Sequence, residues 1–306
     1  MTTSLHDFVK EGLTQPVSAE IQQAAQIIGE RLGGVAVLFY GSVLRTNDLT
    51  GLLDFYVLTE GVQHGGLRGT VSQHLWPDIS FEETRVGDTL LRAKVATMPL
   101  DRFAAAASGD LLDTTIWTRF VQPSALVWSA SDMVTQRVTD AVAAASRTAA
   151  RFAAVLGPQR GSASDYWTAL FRQTYATELR VERPGRESQI LAYNPERYET
   201  LLRLAWQADA LEFDDNQGVL EPEISATLAR RVAKIWRTRR RMGKVLNTAR
   251  LVKAAFMLDG AARYGLWKIK RHTGIDIALT PWKERHPVLA APGVMWKVWR
   301  QSGKQK

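Results

Sequence analysis

Two stretches decide the fold: Leu38-Phe39-Tyr40-Gly41-Ser42 and, ten residues later, Leu52-Leu53-Asp54-Phe55-Tyr56-Val57-Leu58. The first ends an apolar run that begins at Val35, and both runs predict buried strands. A strand that ends in Gly-Ser lets the backbone approach a triphosphate closely, and the start of the following helix offers free amides and the Ser42 hydroxyl to its oxygens. A carboxylate on the neighbouring strand, here Asp54, can hold Mg²⁺ against the same phosphates. The two stretches therefore predict a phosphate-binding turn beside a metal-binding strand.

The elements around these stretches predict an α/β domain in residues 1–130, with a mixed sheet and flanking helices. Ser18 to Leu32 has the apolar spacing of a helix. Asp78 to Thr84 and Thr89 to Met98 are rich in β-forming residues and are separated by a short turn, which predicts a hairpin. A helix is expected to follow from Pro99 to about Ala107.

The rest of the chain predicts mostly helices. Residues 131–229 form a second, mainly helical domain in this interpretation, interrupted by two possible strands within Glu178 to Tyr193 and by a loop at Asp214 to Gly218. Residues 230–306 form a tail whose helices are expected at 226–245 and 249–271.

Charge separates the tail from the body. The tail holds 20 of the 39 basic residues but only three of the 31 acidic ones, and it also holds five of the ten Trp. The preceding 229 residues are left with 19 basic and 28 acidic residues. Such a basic segment predicts an anionic partner. Basic helices with Trp anchors suit an anionic bilayer surface, and the same composition could bind RNA phosphates with bases stacked on Trp.

Several classes of protein are excluded or disfavoured. The sequence has no cysteine, which rules out disulfides, thiolate catalysis and Cys-ligated metal clusters. The five His show no metal-ligand spacing, and no Walker A, dinucleotide-binding or nucleophile-elbow motif is present. The N-terminal residues lack the apolar core of a signal peptide, and no stretch reaches the ~18 apolar residues of a spanning helix. A soluble or peripheral protein is expected.

The pattern of Gly41-Ser42 followed by Asp54 resembles the polymerase-β-like nucleotidyltransferase superfamily. Within it, the mitochondrial-type phosphatidate cytidylyltransferases (mitochondrial translocator assembly and maintenance proteins) have a Tyr-Gly-Ser and a following strand with a single Asp, and this chain resembles a bacterial-like member. Tyr40-Gly41-Ser42 and Leu53-Asp54-Phe55 match these motifs. The resemblance covers roughly residues 18–200.

Three further segments resemble that family in the correct order. Leu90 to Thr97, which contains Lys94, stands at the place of a Lys-containing strand. Trp117 to Pro123 is similar to a segment that keeps a basic residue, here Arg119, and a Pro. The family motif Ser-Tyr-x-Gly-Asp-x-Arg is similar to Thr174-Tyr175-Ala176-Thr177-Glu178-Leu179-Arg180, with Glu178 in place of Asp.

The resemblance implies a role for each matched residue. Asp54 and Glu178 would be the metal ligands, with Lys94 as a third catalytic residue. Tyr40, Gly41, Ser42 and Arg119 would bind the nucleotide, and Tyr175 and Arg180 the second substrate. Structural alternatives remain open at each position: a capping or turn Asp54, a surface ion pair of Glu178 with Arg180, solvated charges at Lys94 and Arg119, and core packing of Tyr175.

The implied reaction is that of CTP with phosphatidate, with Mg²⁺ as cofactor, giving CDP-diacylglycerol and pyrophosphate for phospholipid biosynthesis. The enzyme would work as a peripheral protein at the cytoplasmic face of a membrane, with the tail on the anionic surface. Two other functions remain open: a nucleotidyltransferase acting on RNA or protein, and a non-catalytic membrane-associated protein on a decayed nucleotidyltransferase core.

Overall fold

A computed structural model describes residues 3–46, 51–61, 65–177, 185–257 and 260–302. The strands are β1 (Gly34–Tyr40), β2 (Leu53–Thr59), β3 (Asp78–Val86), β4 (Thr89–Pro99), β5 (Ser124–Ser129), β6 (Phe213–Asn216) and β7 (Val219–Pro222). The helices are α1 (Leu5–Leu13), α2 (Ala19–Arg31), α3 (Ser42–Thr46), α4 (Gly66–His74), α5 (Leu100–Ala107), α6 (Thr115–Phe120), α7 (Asp132–Leu156), α8 (Ala163–Thr177), α9 (Arg186–Tyr193), α10 (Pro195–Ala208), α11 (Ala226–Met257), α12 (Ala261–Thr273), α13 (Pro281–Arg285) and α14 (Pro287–Ser302).

The first five strands form one mixed sheet in the order β3-β4-β2-β1-β5. β1 pairs antiparallel with β2 and β5, β3 pairs antiparallel with β4, and β2 and β4 run parallel. The predictions of strands at β1 and β2, of the β3–β4 hairpin and of a flanked α/β sheet are therefore confirmed.

Alternating side chains give the sheet two apolar faces, because successive residues of a strand point to opposite sides. Leu38 and Tyr56 belong to the larger cluster, which α5, α6 and α7 cover. Phe39 and Phe55 lie on the opposite face with residues of α2, and their rings meet edge to face at 5.5 Å. Central strands that are apolar on both faces are typical of a sheet covered on both sides.

The predicted helices α2 and α5 are confirmed, and the long helix α7 lies in the part of the chain that was expected to be mainly helical. Ser18 caps α2 and Ser131 caps α7, because each hydroxyl accepts from an amide three residues on. The Ala-rich part of α7 lets other elements pack closely, and the Trp206 indole of α10 donates to the Ala150 carbonyl at 2.9 Å. Trp117 of α6 stacks on Phe152 of α7 with ring centroids 5.2 Å apart.

Three predictions in the second half of the chain were wrong. Residues 186–193, the second of the possible strands, form helix α9, while residues 178–184 lie outside the described part of the chain. The loop at Asp214 to Gly218 is the turn end of the β6–β7 hairpin, because Gln217 and Gly218 both adopt positive φ, as a two-residue hairpin turn requires. α11 continues through the expected break at 246–248 and ends at Met257.

Residues 230–306 pack on the body through α11 and α12. Trp236 and Arg239 of α11 are buried, and the Arg239 guanidinium donates to the carbonyls of Gly109 and Leu111 at 2.5 and 2.9 Å. Farther along α11, the Lys253 ammonium lies 2.6 Å from the Asp78 carboxylate of β3. These hydrogen bonds and this ion pair compensate Arg239 and Lys253 for the hydration that they lose on burial.

α12 then covers the edge strand β3. The Phe81 ring lies 5.4 Å from that of Tyr264 and 6.2 Å from that of Trp267. The turn before α12 approaches so closely that a Cβ on Gly260 would lie 2.6 Å from the Phe81 carbonyl oxygen. Among the described residues, no helix combines the length and apolarity that a membrane crossing needs.

Candidate functional site

The strand ends place three of the predicted site residues in one row across the sheet. Tyr40 is the last residue of β1 and faces Asp54 of β2 in the register, and Asp54 faces Lys94 of β4. Residues paired in this way project on the same side of a sheet. The row thus brings an aromatic ring, a carboxylate and an ammonium to one end of the sheet, on the face that carries the larger apolar cluster.

Gly41 turns the chain directly above Asp54. Its φ is +95°, a conformation that residues with a Cβ rarely adopt. A Cβ built at this position would overlap an oxygen of the Asp54 carboxylate and lie 3.2 Å from Asp54 Cγ. The bare backbone of Gly41 therefore leaves the carboxylate room at the chain reversal between β1 and the single-turn helix α3.

A cavity of about 230 Å³ opens at this point. It is lined by Tyr40, Gly41, Ser42, Arg45, Asp54, Arg119, Gln122, Pro123, Tyr175 and Ile190. Six of these, Tyr40, Gly41, Ser42, Asp54, Arg119 and Tyr175, are residues that the sequence assigned to the site. They come from β1, α3, the turn between them, β2, α6 and α8, so the cavity unites segments that are far apart in the chain.

Arg119 lies across the ring of Tyr40, with its guanidinium carbon 4.8 Å from the ring centroid. This cation–π contact fixes the direction of the guanidinium as it leaves the short helix α6. Burial raises the pKa of the Tyr40 hydroxyl, although the Arg119 charge opposes that shift, so Tyr40 is a neutral phenol at physiological pH.

The charge balance at Asp54 is set by burial and by three cations. Loss of water around its carboxylate raises the pKa of Asp54 above the ordinary value, and the positive charges of Lys94, Arg119 and Arg45 act in the opposite direction. Burial has a larger effect on the pKa of Asp54 than the three cations together, so the pKa is raised. A half-buried carboxylate that is poorly compensated by protein gains free energy when a further cation binds beside it.

The other predicted residues are placed as follows. Tyr175 of α8 lines the cavity and stacks on Phe171, with ring centroids 6.4 Å apart. Lys94 is exposed on β4 beside Asp54 but does not line the cavity. Glu178 and Arg180 lie outside the described residues. In the described part of the chain, no group of three or more His, Cys, Asp or Glu side chains converges as a metal site.

Arg45 is a cavity residue that the sequence analysis missed. It lies three residues after Ser42 on α3, one helical turn farther, and its charge acts on Asp54. The spacing Ser42-x-x-Arg45 was the available signal, because residues three apart share a helix face. Gln122 and Ile190 were also missed, and no local pattern marks either of them.

Neither the protein-family models nor the curated proteins give a match to this sequence.

Proposed function

We propose that this protein is a Mg²⁺-dependent phosphatidate cytidylyltransferase, which converts CTP and phosphatidate to CDP-diacylglycerol and pyrophosphate. The observation that carries the proposal is the convergence of Gly41-Ser42, Asp54, Arg119 and Tyr175 on one cavity. If the separate motifs resemble the family because the chain shares its site, they should meet at one place in space. Motifs that are similar only by chance need not meet.

The chemistry needs positioning and charge neutralisation more than covalent help from the protein. An oxygen of the phosphatidate phosphate attacks the α-phosphorus of CTP, the bond to the bridging oxygen breaks, and pyrophosphate leaves with its electron pair. Arg119 and Arg45 would neutralise the triphosphate oxygens in the cavity, with guanidinium groups suited to a bidentate grip. Lys94 would act from the rim through its charge on Asp54.

The donor set fits Mg²⁺ that is bound together with a nucleotide. In such sites one or two carboxylates and the substrate phosphates usually hold the ion. Asp54 supplies one carboxylate whose charge is under-compensated, and the resemblance assigns a second to Glu178. When bound, the ion would stabilise charge on the reacting phosphates.

The lipid substrate requires a membrane surface, and the C-terminal helices have suitable chemistry. Trp282, Leu289 and Trp296 are 55, 69 and 58% exposed and follow one another on the C-terminal helices α13 and α14. Exposed cations accompany them on α14, Lys297 and Arg300. Apolar side chains that enter the headgroup region beside cations that attract anionic lipid are typical of interfacial helices.

The decisive assay measures pyrophosphate release from each of the four ribonucleoside triphosphates, with phosphatidate vesicles or with RNA as acceptor. Release that requires both CTP and phosphatidate is expected. Asp54→Asn should lower the rate at least about 10-fold, because an amide holds Mg²⁺ far less well than a carboxylate. Asp88→Asn, an exposed carboxylate in the β3–β4 turn, is the matched control and should retain the wild-type rate.

Each rival predicts a different result in the same assay. Release with RNA and none with phosphatidate would favour an RNA nucleotidyltransferase. A folded protein that releases no pyrophosphate with any acceptor would favour the non-catalytic interpretation. An Asp54→Asn variant as active as Asp88→Asn would remove Asp54 from the reaction.

Co-sedimentation with phosphatidate vesicles tests the membrane contact separately. Leu289→Ser combined with Trp296→Ser should weaken vesicle binding while leaving the fold intact, because both side chains are exposed. The control is Leu112→Ser combined with Met133→Ser, two exposed apolar residues of the body. Equal binding by both double variants would place the membrane contact elsewhere, and full-length protein that ignores vesicles but shifts RNA in a gel would contradict it.

A further inference from the structure

A second cavity, of about 240 Å³, lies next to the candidate site. Arg45 and Pro123 line both cavities, so the two share a wall. Tyr193, Asn194 and Arg197 belong to the polar part of the lining of the second one, together with Gln15 and Ser124. Small-molecule sites usually occupy at least ~300 Å³, a volume that neither cavity reaches alone. The shared lining residues place the second small cavity directly beside the first.

Arg197 is the unusual group in this second cavity. Its guanidinium lies 5.5 Å from the ring centroid of Phe8, and Nη2 makes only a long contact of 3.5 Å with the Val121 carbonyl. Its Nε is buried and has no hydrogen-bond partner. Among the described residues, no carboxylate lies within ion-pair distance of Arg197, and burial lowers its pKa. A buried cation without a compensating anion costs free energy in the ligand-free protein.

Arg45 adds a second positive charge on the wall between the cavities. The described part of the chain places no carboxylate within ion-pair distance of this guanidinium either. The Tyr193 hydroxyl of α9 donates to the Arg45 carbonyl at 3.0 Å, and the guanidinium lies 5.9 Å from the Tyr193 ring centroid. α9 thereby holds α3 in place, so that Arg45 faces the same opening as Arg197.

We infer that the second cavity binds a phosphate group, held by Arg197 and Arg45, as an extension of the cavity around Asp54. Planar guanidinium groups are suited to phosphate oxygens, and the bound anion would supply the charge that Arg197 lacks. The phosphate belongs either to the far end of the nucleotide triphosphate or to a phosphate monoester acceptor. The role of this phosphate in catalysis rests on the proposed function, whereas the binding of phosphate itself does not.

Calorimetric titration of the full-length protein with pyrophosphate and with glycerol 3-phosphate tests this inference without a base or a lipid. Arg197→Gln should weaken binding of one probe about 10-fold or more, since a hydrogen-bonded charge is removed. Arg203→Gln is the matched control: it lies on the same helix, pairs with Asp215 and lies outside the cavity. Its affinities should equal those of the wild type.

The two probes distinguish the two sources of the phosphate. Loss of pyrophosphate binding, with glycerol 3-phosphate binding unchanged, assigns the cavity to the triphosphate; the reverse pattern assigns it to the acceptor. Should Arg197→Gln lose its fold, Gln15→Glu decides by the same measure, because exposed Gln15 lines only the second cavity and the variant places a negative charge there. The inference is overturned if the wild type binds neither probe, or if the cavity variants bind both probes as tightly as Arg203→Gln does.

The melting temperature of the ligand-free protein separates a binding role from a structural one. Arg197→Met should melt at or above the wild-type temperature, because it removes an uncompensated buried charge, and it should lose the rise in melting temperature that pyrophosphate or glycerol 3-phosphate gives the wild type. A lowered melting temperature with an unchanged ligand-induced rise would show that Arg197 only supports the packing of α1 and α10, which overturns the inference.

Discussion

Gly41→Ala tests whether the turn above Asp54 depends on the missing side chain. The methyl group has two costs. A residue with a Cβ at a φ of +95° is strained by about 1–2 kcal/mol. The new Cβ also overlaps the Asp54 carboxylate, and overpacking of this kind costs about 1–3 kcal/mol.

The sum predicts a loss of roughly 2–5 kcal/mol in the free energy of unfolding, and a melting temperature lower by about 3–8 °C. Gly87→Ala is the reference for strain alone. Gly87 has a φ of +56° in the β3–β4 turn, and a Cβ there would meet no atom within 4 Å. We therefore expect only about 1–2 kcal/mol from that variant.

Urea unfolding of Gly41→Ala, Asp54→Ala and the double variant completes the comparison. Removing the Asp54 carboxylate takes away the overlapping atoms, so that Gly41→Ala in this background should cost about as much as Gly87→Ala. The reasoning is refuted if Gly41→Ala costs no more than Gly87→Ala in the wild type, or if its cost is the same in both backgrounds.

The remaining predictions concern buried charges. Because burial raises the folded-state pKa of Asp54, its ionised form costs stability; Asp54→Asn should melt above the wild type at pH 7, and this advantage should vanish as the pH falls through that pKa to below about 4. Burial alone would raise the pKa of the Asp209 carboxyl, but hydrogen bonds from Arg151 and Arg147 have the larger effect and lower that pKa. Asp209→Asn should thus lose about 2 kcal/mol at pH 7, a difference that closes in acid below about pH 4 and that melting curves at both pH values would reveal. Arg239→Met should cost about 2–4 kcal/mol in urea unfolding, because two carbonyls lose their donor, whereas exposed Arg240→Met should change stability by less than about 0.5 kcal/mol.

The sheet could be predicted from local sequence because its signals are local. β1 and β2 are continuous apolar runs, and the Gly87-Asp88 turn separates two β-rich segments at hairpin spacing. Sequence alone could not give the strand order, in which β2 lies between β1 and β4. That order depends on which faces α2 and α7 cover, and no local pattern records this.

The errors in the second half have two different causes. Residues 186–193 are mostly good helix formers, so local propensity favours the helix α9, and the strand prediction gave too much weight to Ile190 and Tyr193. α11 runs through Asn247 and Thr248, which have weak helix propensity, and beyond them Lys253 is anchored on the body by Asp78. Only in α11 did contacts between distant segments outweigh local preference.

The candidate site was predicted through motif order, because no single motif specified it. Gly41-Ser42 and Asp54 have a physical reason to lie together, whereas Arg119 and Tyr175 could be assigned only through the resemblance. Arg45 was not predicted because its importance comes from the cavity it faces. Arg197 was equally hidden, since one Arg in an amphipathic helix is ordinarily a solvated surface residue.

The covering of β3 by α12 has a consequence for synthesis of the chain. β3 is an edge strand, and an uncovered edge can pair with other molecules. Its cover, Tyr264 and Trp267, is translated about 180 residues after Val86. At about 5–20 residues per second this edge stays open for roughly 10–40 s on each ribosome. The edge of the nascent sheet is therefore expected to be open to aggregation until Tyr264 and Trp267 emerge.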